Sequence, residues 1–201
     1  MKMKERLELK NSFDRKIIVE RLREGKIGLF PTDTVWGICC SIDSKSSIER
    51  IYKIKKREKN KPLLALASDY LQVERYAFLD NSKKEKISKY WPGPLTVVLK
   101  AKKEKVLPIV RSDGDTIAIR VPDYHFLLEI IGDLGVPVVA PSANFSGEIT
   151  PESFSDVDIR IVNAVDFVVM GECKIKKPST IIDSSSEDVR VLRRGALEFK
   201  I

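Results

Sequence analysis

The chain is poor in the residues that build metal and disulfide sites. Among its 201 residues there are one histidine, His125, and three cysteines, Cys39, Cys40 and Cys173. Two adjacent thiols and a distant third give neither paired C-x-x-C spacing nor an even disulfide framework, so zinc and disulfide scaffolds are not expected. The cysteines read as small buried apolar residues in a reducing compartment, and His125 as a surface residue at a helix start. Long apolar runs are also missing. Nothing approaches the roughly 20 residues that a membrane-spanning helix needs, and residues 1–14 are charged, without the apolar core of a secretory signal. A cytoplasmic protein with no membrane partner is the expectation.

What is present describes a globular protein: 43% hydrophobic and 32% charged residues. The length suits one domain over residues 1–201, with no internal repeat and no long linker. A net charge of +7 points to a polyanionic partner without saying whether that is a nucleotide or RNA. Basic residues cluster around 53–61, 83–86, 100–105, 174–177 and 193–194. Each cluster alone reads as a solvated face.

Helical spacing of Ile17, Ile18 and Leu22, closed by Gly25, predicts a helix over 14–24. Short strands follow at 27–30 and 35–40, around the polar turn Thr32-Asp33-Thr34. Ser46 and Glu49 suggest a capping box opening a helix that fades near Arg57. A strand at 63–67, helices at 70–78 and 84–91, and the sharp stop Pro92-Gly93-Pro94 come next. Strands are then expected at 95–99, 116–121, 136–140, 167–170, 180–182 and 189–192, with a helix at 124–131. This alternation defines a mixed α/β layer architecture of the α+β type.

Three places carry candidate chemistry, the first being the polar turn Thr32-Asp33-Thr34. Pro141-Ser142-Ala143-Asn144 follows an apolar strand, where open sheets place ligands and small polar groups can meet phosphate or sugar oxygens. Lys55 and Arg57 would lie about 200° apart on a helix, so they converge only if the helix ends between them. A cation pair at such a loop mouth is what a triphosphate requires.

The joint order of the motifs is more specific than any one of them. Pro31-Thr32-Asp33-Thr34-Val35-Trp36-Gly37, Lys55-Lys56-Arg57 with Pro62-Leu63, Trp91-Pro92-Gly93-Pro94-Leu95-Thr96, Thr116-Ile117-Ala118-Ile119-Arg120-Val121-Pro122, Ala140-Pro141-Ser142-Ala143-Asn144, Pro178-Ser179-Thr180-Ile181-Ile182-Asp183 and Arg193-Arg194-Gly195-Ala196 occur in sequence. In these segments the chain resembles the YrdC-like family of threonylcarbamoyl-AMP synthases over nearly its whole length. The resemblance implies a mixed, twisted sheet flanked by helices, with a basic concave face. It also implies synthesis of threonylcarbamoyl-AMP and pyrophosphate from threonine, bicarbonate or carbon dioxide, and ATP, for tRNA modification.

By that resemblance Lys55, Arg57, Ser142 and Asn144 form the catalytic nucleotide-binding set. Lys61, Thr116, Ala140, Thr150 and Arg193 complete the ATP contacts, and Thr34, Arg120 and Ser179 hold threonine, with Arg120 toward its carboxylate. Magnesium is expected to arrive with ATP, because that ion keeps several waters and needs few protein ligands. No protein metal ligand is expected. Further implied partners are tRNA or double-stranded RNA and downstream tRNA-modification proteins. The chain departs from the family pattern at Trp36, often Tyr, at Leu66, where some members place a His against threonine, and at Glu58, commonly Pro. It matches the short form that lacks a separate C-terminal domain. The alternative reading is an RNA-binding module of the same fold without synthesis, whose affinity would fall steeply with salt and ignore threonine.

Overall fold

The computed structural model describes residues 5–8 and 11–200. The single-domain expectation over 1–201 includes residues 1–4, 9, 10 and 201, which lie outside the described residues. In chain order the elements are β1 (Glu5–Glu8), α1 (Ser12–Arg23), β2 (Gly28–Phe30), β3 (Gly37–Ser41), α2 (Lys45–Ile54), β4 (Leu64–Leu66), α3 (Tyr70–Tyr76), α4 (Asn81–Ser88), β5 (Leu95–Lys100), β6 (Thr116–Arg120), α5 (His125–Leu134), β7 (Val138–Val139), a 3-10 turn (Phe154–Asp156), α6 (Ile159–Ala164), β8 (Phe167–Met170), β9 (Thr180–Asp183) and β10 (Arg190–Arg193).

The strands form one sheet in the order β1-β8-β2-β3-β7-β4-β6-β5-β9-β10. The pairs β1–β8, β2–β8, β4–β6 and β5–β9 are parallel and the other neighbours antiparallel, which is the mixed sheet expected from the sequence. Strands β2 and β3 are buried throughout, and strands covered on both faces read as near-continuous apolar runs.

Strand periodicity explains how the core divides. Successive side chains point to opposite faces, and along β2, β3, β4, β7 and β8 they alternate between two apolar clusters. Leu29, Ile38, Cys40, Ala65, Val139 and Val168 join Ile48 and Ile51 of α2 and Val73 of α3. Phe30, Cys39, Leu66, Val138, Phe167 and Val169 join Ile18 and Leu22 of α1 and Leu127 and Ile131 of α5. Helices therefore cover both faces. All three cysteines are buried and unpaired, and burial alone pushes the Cys40 thiol well above its usual range.

The expected capping box at Ser46 and Glu49 is not formed. The N-cap of α2 is Ser44, without a side-chain cap bond, and its hydroxyl pairs with that of Ser47 at 2.7 Å. Helix α5 runs further than the sequence suggests, to Leu134, and stops where Gly135 takes φ +82°, a left-handed turn that glycine adopts without steric cost. His125 opens α5 with its side chain 77% exposed, in the surface position expected for it.

Candidate active site

The end of α2 brings Lys55 and Arg57 together. Lys55 is the C-cap, Lys56 takes the left-handed φ of +49°, and the chain reverses. The amide of Lys56 bonds the Lys53 carbonyl at 3.1 Å and that of Arg57 the Tyr52 carbonyl at 2.9 Å, the paired bonds of a Schellman motif. A non-glycine residue in that conformation costs on the order of 1 kcal/mol. The turn cancels the angular separation that a continued helix would impose, and both side chains line one cavity. Arg57 then donates from Nε to the Lys61 carbonyl and from Nη2 to the Pro62 carbonyl, at 3.2 and 2.9 Å. Lys61 is exposed and pairs with Glu58 at 3.3 Å.

Facing this turn is the loop after β7. It is stitched to the start of β3 and the residue before it: the Ala143 amide bonds the Trp36 carbonyl at 2.8 Å and the Ile38 amide the Pro141 carbonyl at 2.9 Å. Ser142 donates its hydroxyl proton to Asn144 Oδ1 at 2.6 Å, and Asn144 Nδ2 donates to the Glu148 carbonyl at 2.7 Å. Lys55 Nζ reaches into the same loop, where it donates to the carbonyls of Ser142 and Asn144 and to Asn144 Oδ1.

The opposite wall is built on the polar turn between β2 and β3. Thr32 Oγ1 accepts from the amides of Thr34 and Val35 and donates to the Val35 carbonyl, a local side-chain turn. Its proton thus committed, the 3.0 Å contact between the Thr32 and Thr34 hydroxyls has Thr34 as donor. Arg120, at the end of β6, donates from Nη1 to Asp33 Oδ1 at 2.6 Å and from Nη2 to Thr34 Oγ1 at 3.1 Å. Asp33 and Arg120 are 1% and 2% exposed, so this ion pair is fully buried. Asp33 Oδ2 also accepts from the Asp123 amide at 3.2 Å.

The third wall comes from β9 and β10. Arg193 donates from Nε and Nη2 to the Ser179 carbonyl, at 3.2 and 2.7 Å, and from Nη2 to its hydroxyl at 3.3 Å. The Ser179 hydroxyl lies 2.8 Å from that of Thr96 on β5. Gly195 passes so close to the Ser179 backbone that a Cβ there would collide with it.

These walls enclose a cavity of about 410 Å³, within the range of small-ligand sites. Thr34, Lys55, Arg57, Lys61, Arg120, Ala140, Ser142, Thr150, Ser179 and Arg193 all line it. Two of the expected residues do not. Asn144 sits behind Ser142 as its hydrogen-bond acceptor, and Thr116 begins β6 outside the wall, two residues before the lining residue Ala118. Trp36 is buried and lines the cavity as an aromatic wall, against Phe154 at 5.3 Å between ring centroids. Leu66 packs into the core beneath α5 and is not part of the wall.

The candidate turn contributes both Thr32 and Thr34 to the wall, whereas Thr96, Pro178, Ile181 and Leu192 are lining residues that sequence reasoning did not single out. Thr96, Pro178 and Ile181 stood inside quoted motifs, but which way a side chain points is not written in a motif.

Among the described residues no carboxylate lines the cavity; Asp33 is bound to the lining residue Arg120 and Glu58 to the lining residue Lys61. The bases feel this lack. Burial, with Arg57 adding, pushes the Lys55 ammonium down to about 7. Burial also lowers Arg57, and desolvation against the wall, with Arg120 adding, lowers Arg193. An anion would relieve all three. Among the described residues no cluster of three or more His, Cys, Asp or Glu side chains could hold a metal.

A mixed sheet whose loops converge on a cation- and hydroxyl-lined cavity defines an anion-binding α/β protein, with a second, charge-neutral subsite beside the cationic one. The chain belongs to the Sua5/YciO/YrdC family, whose model, described as telomere recombination, matches residues 20–195. It is 36% identical to a Methanocaldococcus jannaschii protein with the provisional name threonylcarbamoyl-AMP synthase, over 93% of this chain and 90% of that one. It is 35% identical to the threonylcarbamoyl-AMP synthase of Bacillus subtilis, over 86% of this chain and 50% of the relative. Among solved structures, P. abyssi Sua5 complexed with L-threonine superposes with a TM-score of 0.88 at 29% identity, covering 96% of this chain and 58% of that one. The chain thus spans about half the length of the longer relatives that it matches.

Proposed function

We propose that this protein is an L-threonylcarbamoyladenylate synthase. The threonine amine adds carbon dioxide with loss of a proton, or condenses with bicarbonate with loss of water, to give a carbamate. A carbamate oxygen attacks the α-phosphorus of ATP, the bond to the β-phosphate oxygen breaks, and pyrophosphate leaves. Little covalent work falls to side chains, because such transfers are driven by positioning and by neutralising charge on the phosphate oxygens. A site with cations and hydroxyls but no histidine base suits that task.

One observation carries the reading. Arg57, Lys61, Ser142 and Arg193 share a single cavity with the buried Asp33–Arg120–Thr34 array. In this assignment Arg57, Lys61 and Arg193 bind the phosphates, with Ser142, Ala140 and Thr150 along the nucleotide. Thr34, Arg120 and Ser179 orient threonine. Asn144 serves the nucleotide side through Ser142. Magnesium enters as part of the ATP substrate, and the carboxylate-free wall fits an ion that keeps its waters.

The RNA-binding alternative leaves the neutralised array without a role, since a phosphate backbone offers it no amino acid to orient. An adenylate product requires an acceptor, so transfer to tRNA by a further modification protein follows from this reading. A cytoplasmic setting also agrees with it, and no described helix is long and apolar enough to cross a membrane. The test is pyrophosphate release from MgATP and bicarbonate with each amino acid in turn. Threonine alone should support it. Release that is absent, or indifferent to the amino acid, would overturn the proposal.

A further inference from the structure

Lys55 belongs to the cavity wall, yet its ammonium is engaged by the loop after β7. An ammonium group has three protons and no acceptor. The Lys55 ammonium faces three oxygens of one loop: the Ser142 carbonyl, the Asn144 carbonyl at 2.6 Å and Asn144 Oδ1 at 3.3 Å. The residue is 2% exposed, so no proton is held in reserve on the solvent side. The backbone closes the same ring, because the Ser146 amide donates to the Lys55 carbonyl at 2.8 Å.

The neighbouring groups depend on this arrangement. Asn144 Oδ1 accepts from Lys55 and from the Ser142 hydroxyl, and Asn144 Nδ2 donates to the Glu148 carbonyl. The orientation of Ser142 therefore follows from that of Asn144, and Asn144 is held by Lys55. Phe145, in the same loop, lies 4.6 Å from the Arg160 guanidinium and 5.1 Å from Lys56 Nζ, which fixes the loop from its other side.

We propose that Lys55 is a positioning residue, which clamps the loop 142–148 and sets Ser142 toward the nucleotide without itself binding the triphosphate. The catalytic part rests on the synthase reading above; the clamp is independent of it. A phosphate ligand with free donors would act by charge, whereas a clamp acts through the loop it holds. The triphosphate is then left to Arg57, Lys61 and Arg193.

The experiment uses Lys55→Met, which keeps the stem and removes the donors, with Ser142→Ala and the double variant. In Lys55→Met, amide hydrogen exchange over 142–148 should quicken by about tenfold or more, while the strands β2, β3 and β8 keep their protection. Protection of 142–148 equal to wild type would overturn the clamp, and so would equal loosening of the whole sheet, which would make Lys55 a general core residue. For turnover, Lys55→Met should lower kcat by about 100-fold, as a displaced reacting group does, with KM for threonine nearly unchanged. The double variant should fall no further than the worse single one, because residues acting as a unit are non-additive. Losses that multiply would instead place Lys55 directly on the phosphates. Should the wild type release no threonine-dependent pyrophosphate, the synthase reading fails, and the hydrogen-exchange arm still decides the clamp.

Discussion

The two ends of the cavity hold arginines in opposite electrostatic states. Arg57 and Arg193 donate only to neutral oxygens, those of Lys61, Pro62 and Ser179, and neither pairs with a carboxylate among the described residues. Arg120 is buried against Asp33 with its charge neutralised. A cation bonded to carbonyls keeps its charge for a ligand. A cation paired with a carboxylate offers direction and hydrogen bonds but little net field. Under the proposed function, one end reads charge, as a triphosphate demands, and the other reads shape and hydrogen-bond pattern, as a zwitterionic amino acid demands. Lys61 stands between the two, since its pairing with Glu58 is exposed, and exposed pairs are worth little.

The largest effect is expected from breaking the buried pair. Asp33→Ala leaves Arg120 charged in the core with the Thr34 hydroxyl but no counter-ion, and losing one member of such a pair costs about 3–5 kcal/mol. Urea denaturation should show that loss. Where the variant still folds, KM for threonine should rise far more than KM for ATP. The next effect lies at the open end. Arg57→Ala should lower kcat/KM by about 10²- to 10³-fold, the usual consequence of removing one donor to developing charge, with the urea midpoint nearly unchanged. Similar rises in both KM values in either variant would erase the distinction between the ends.

A smaller effect concerns pH. The Lys55 ammonium is held near 7 in the folded protein against 10.5 as its ordinary value. Between those values the unfolded chain binds a proton that the folded one releases, so stability should rise with pH, by up to about 1.4 kcal/mol per unit. The three oxygens around Nζ oppose burial and moderate the slope. Lys55→Met should lack this portion of the rise, and parallel pH profiles for the two proteins would contradict it. The smallest effect is of salt. Raising ionic strength should increase KM for ATP several-fold and leave KM for threonine almost flat.

Much of this architecture was legible in the sequence, and the exceptions have physical causes. Periodicity and turn signals located the five longest helices and nine of the ten strands among the described residues, within a few positions, most of them because their apolar residues face one of the two core clusters. Strand β1 escaped notice because Leu7 is its one buried residue, and its pairing with β8 spans most of the chain. Helix α6 has six residues and buries only Ile161, too little for a period to register. The convergence of Lys55 and Arg57 was readable as a condition, that the helix end there, and Lys56 meets it by accepting a left-handed backbone. What the chain order could not disclose was commitment. Asp33 and Arg120 lie 87 positions apart, and nothing local says that they neutralise each other. Likewise, Lys55 reads as a phosphate ligand until its three protons are followed to their acceptors.

The central claim is that the neutral end delivers a carbamylated threonine to the α-phosphate held at the charged end. Incubating the protein with MgATP, threonine and 13C-bicarbonate, then analysing the products by mass spectrometry, tests it most directly. The expected product is a threonine adenylate carrying the labelled carbon between the amino nitrogen and AMP, and its appearance should require all three substrates. Formation of an unlabelled threonyl adenylate, or of AMP and pyrophosphate without threonine, would contradict the claim.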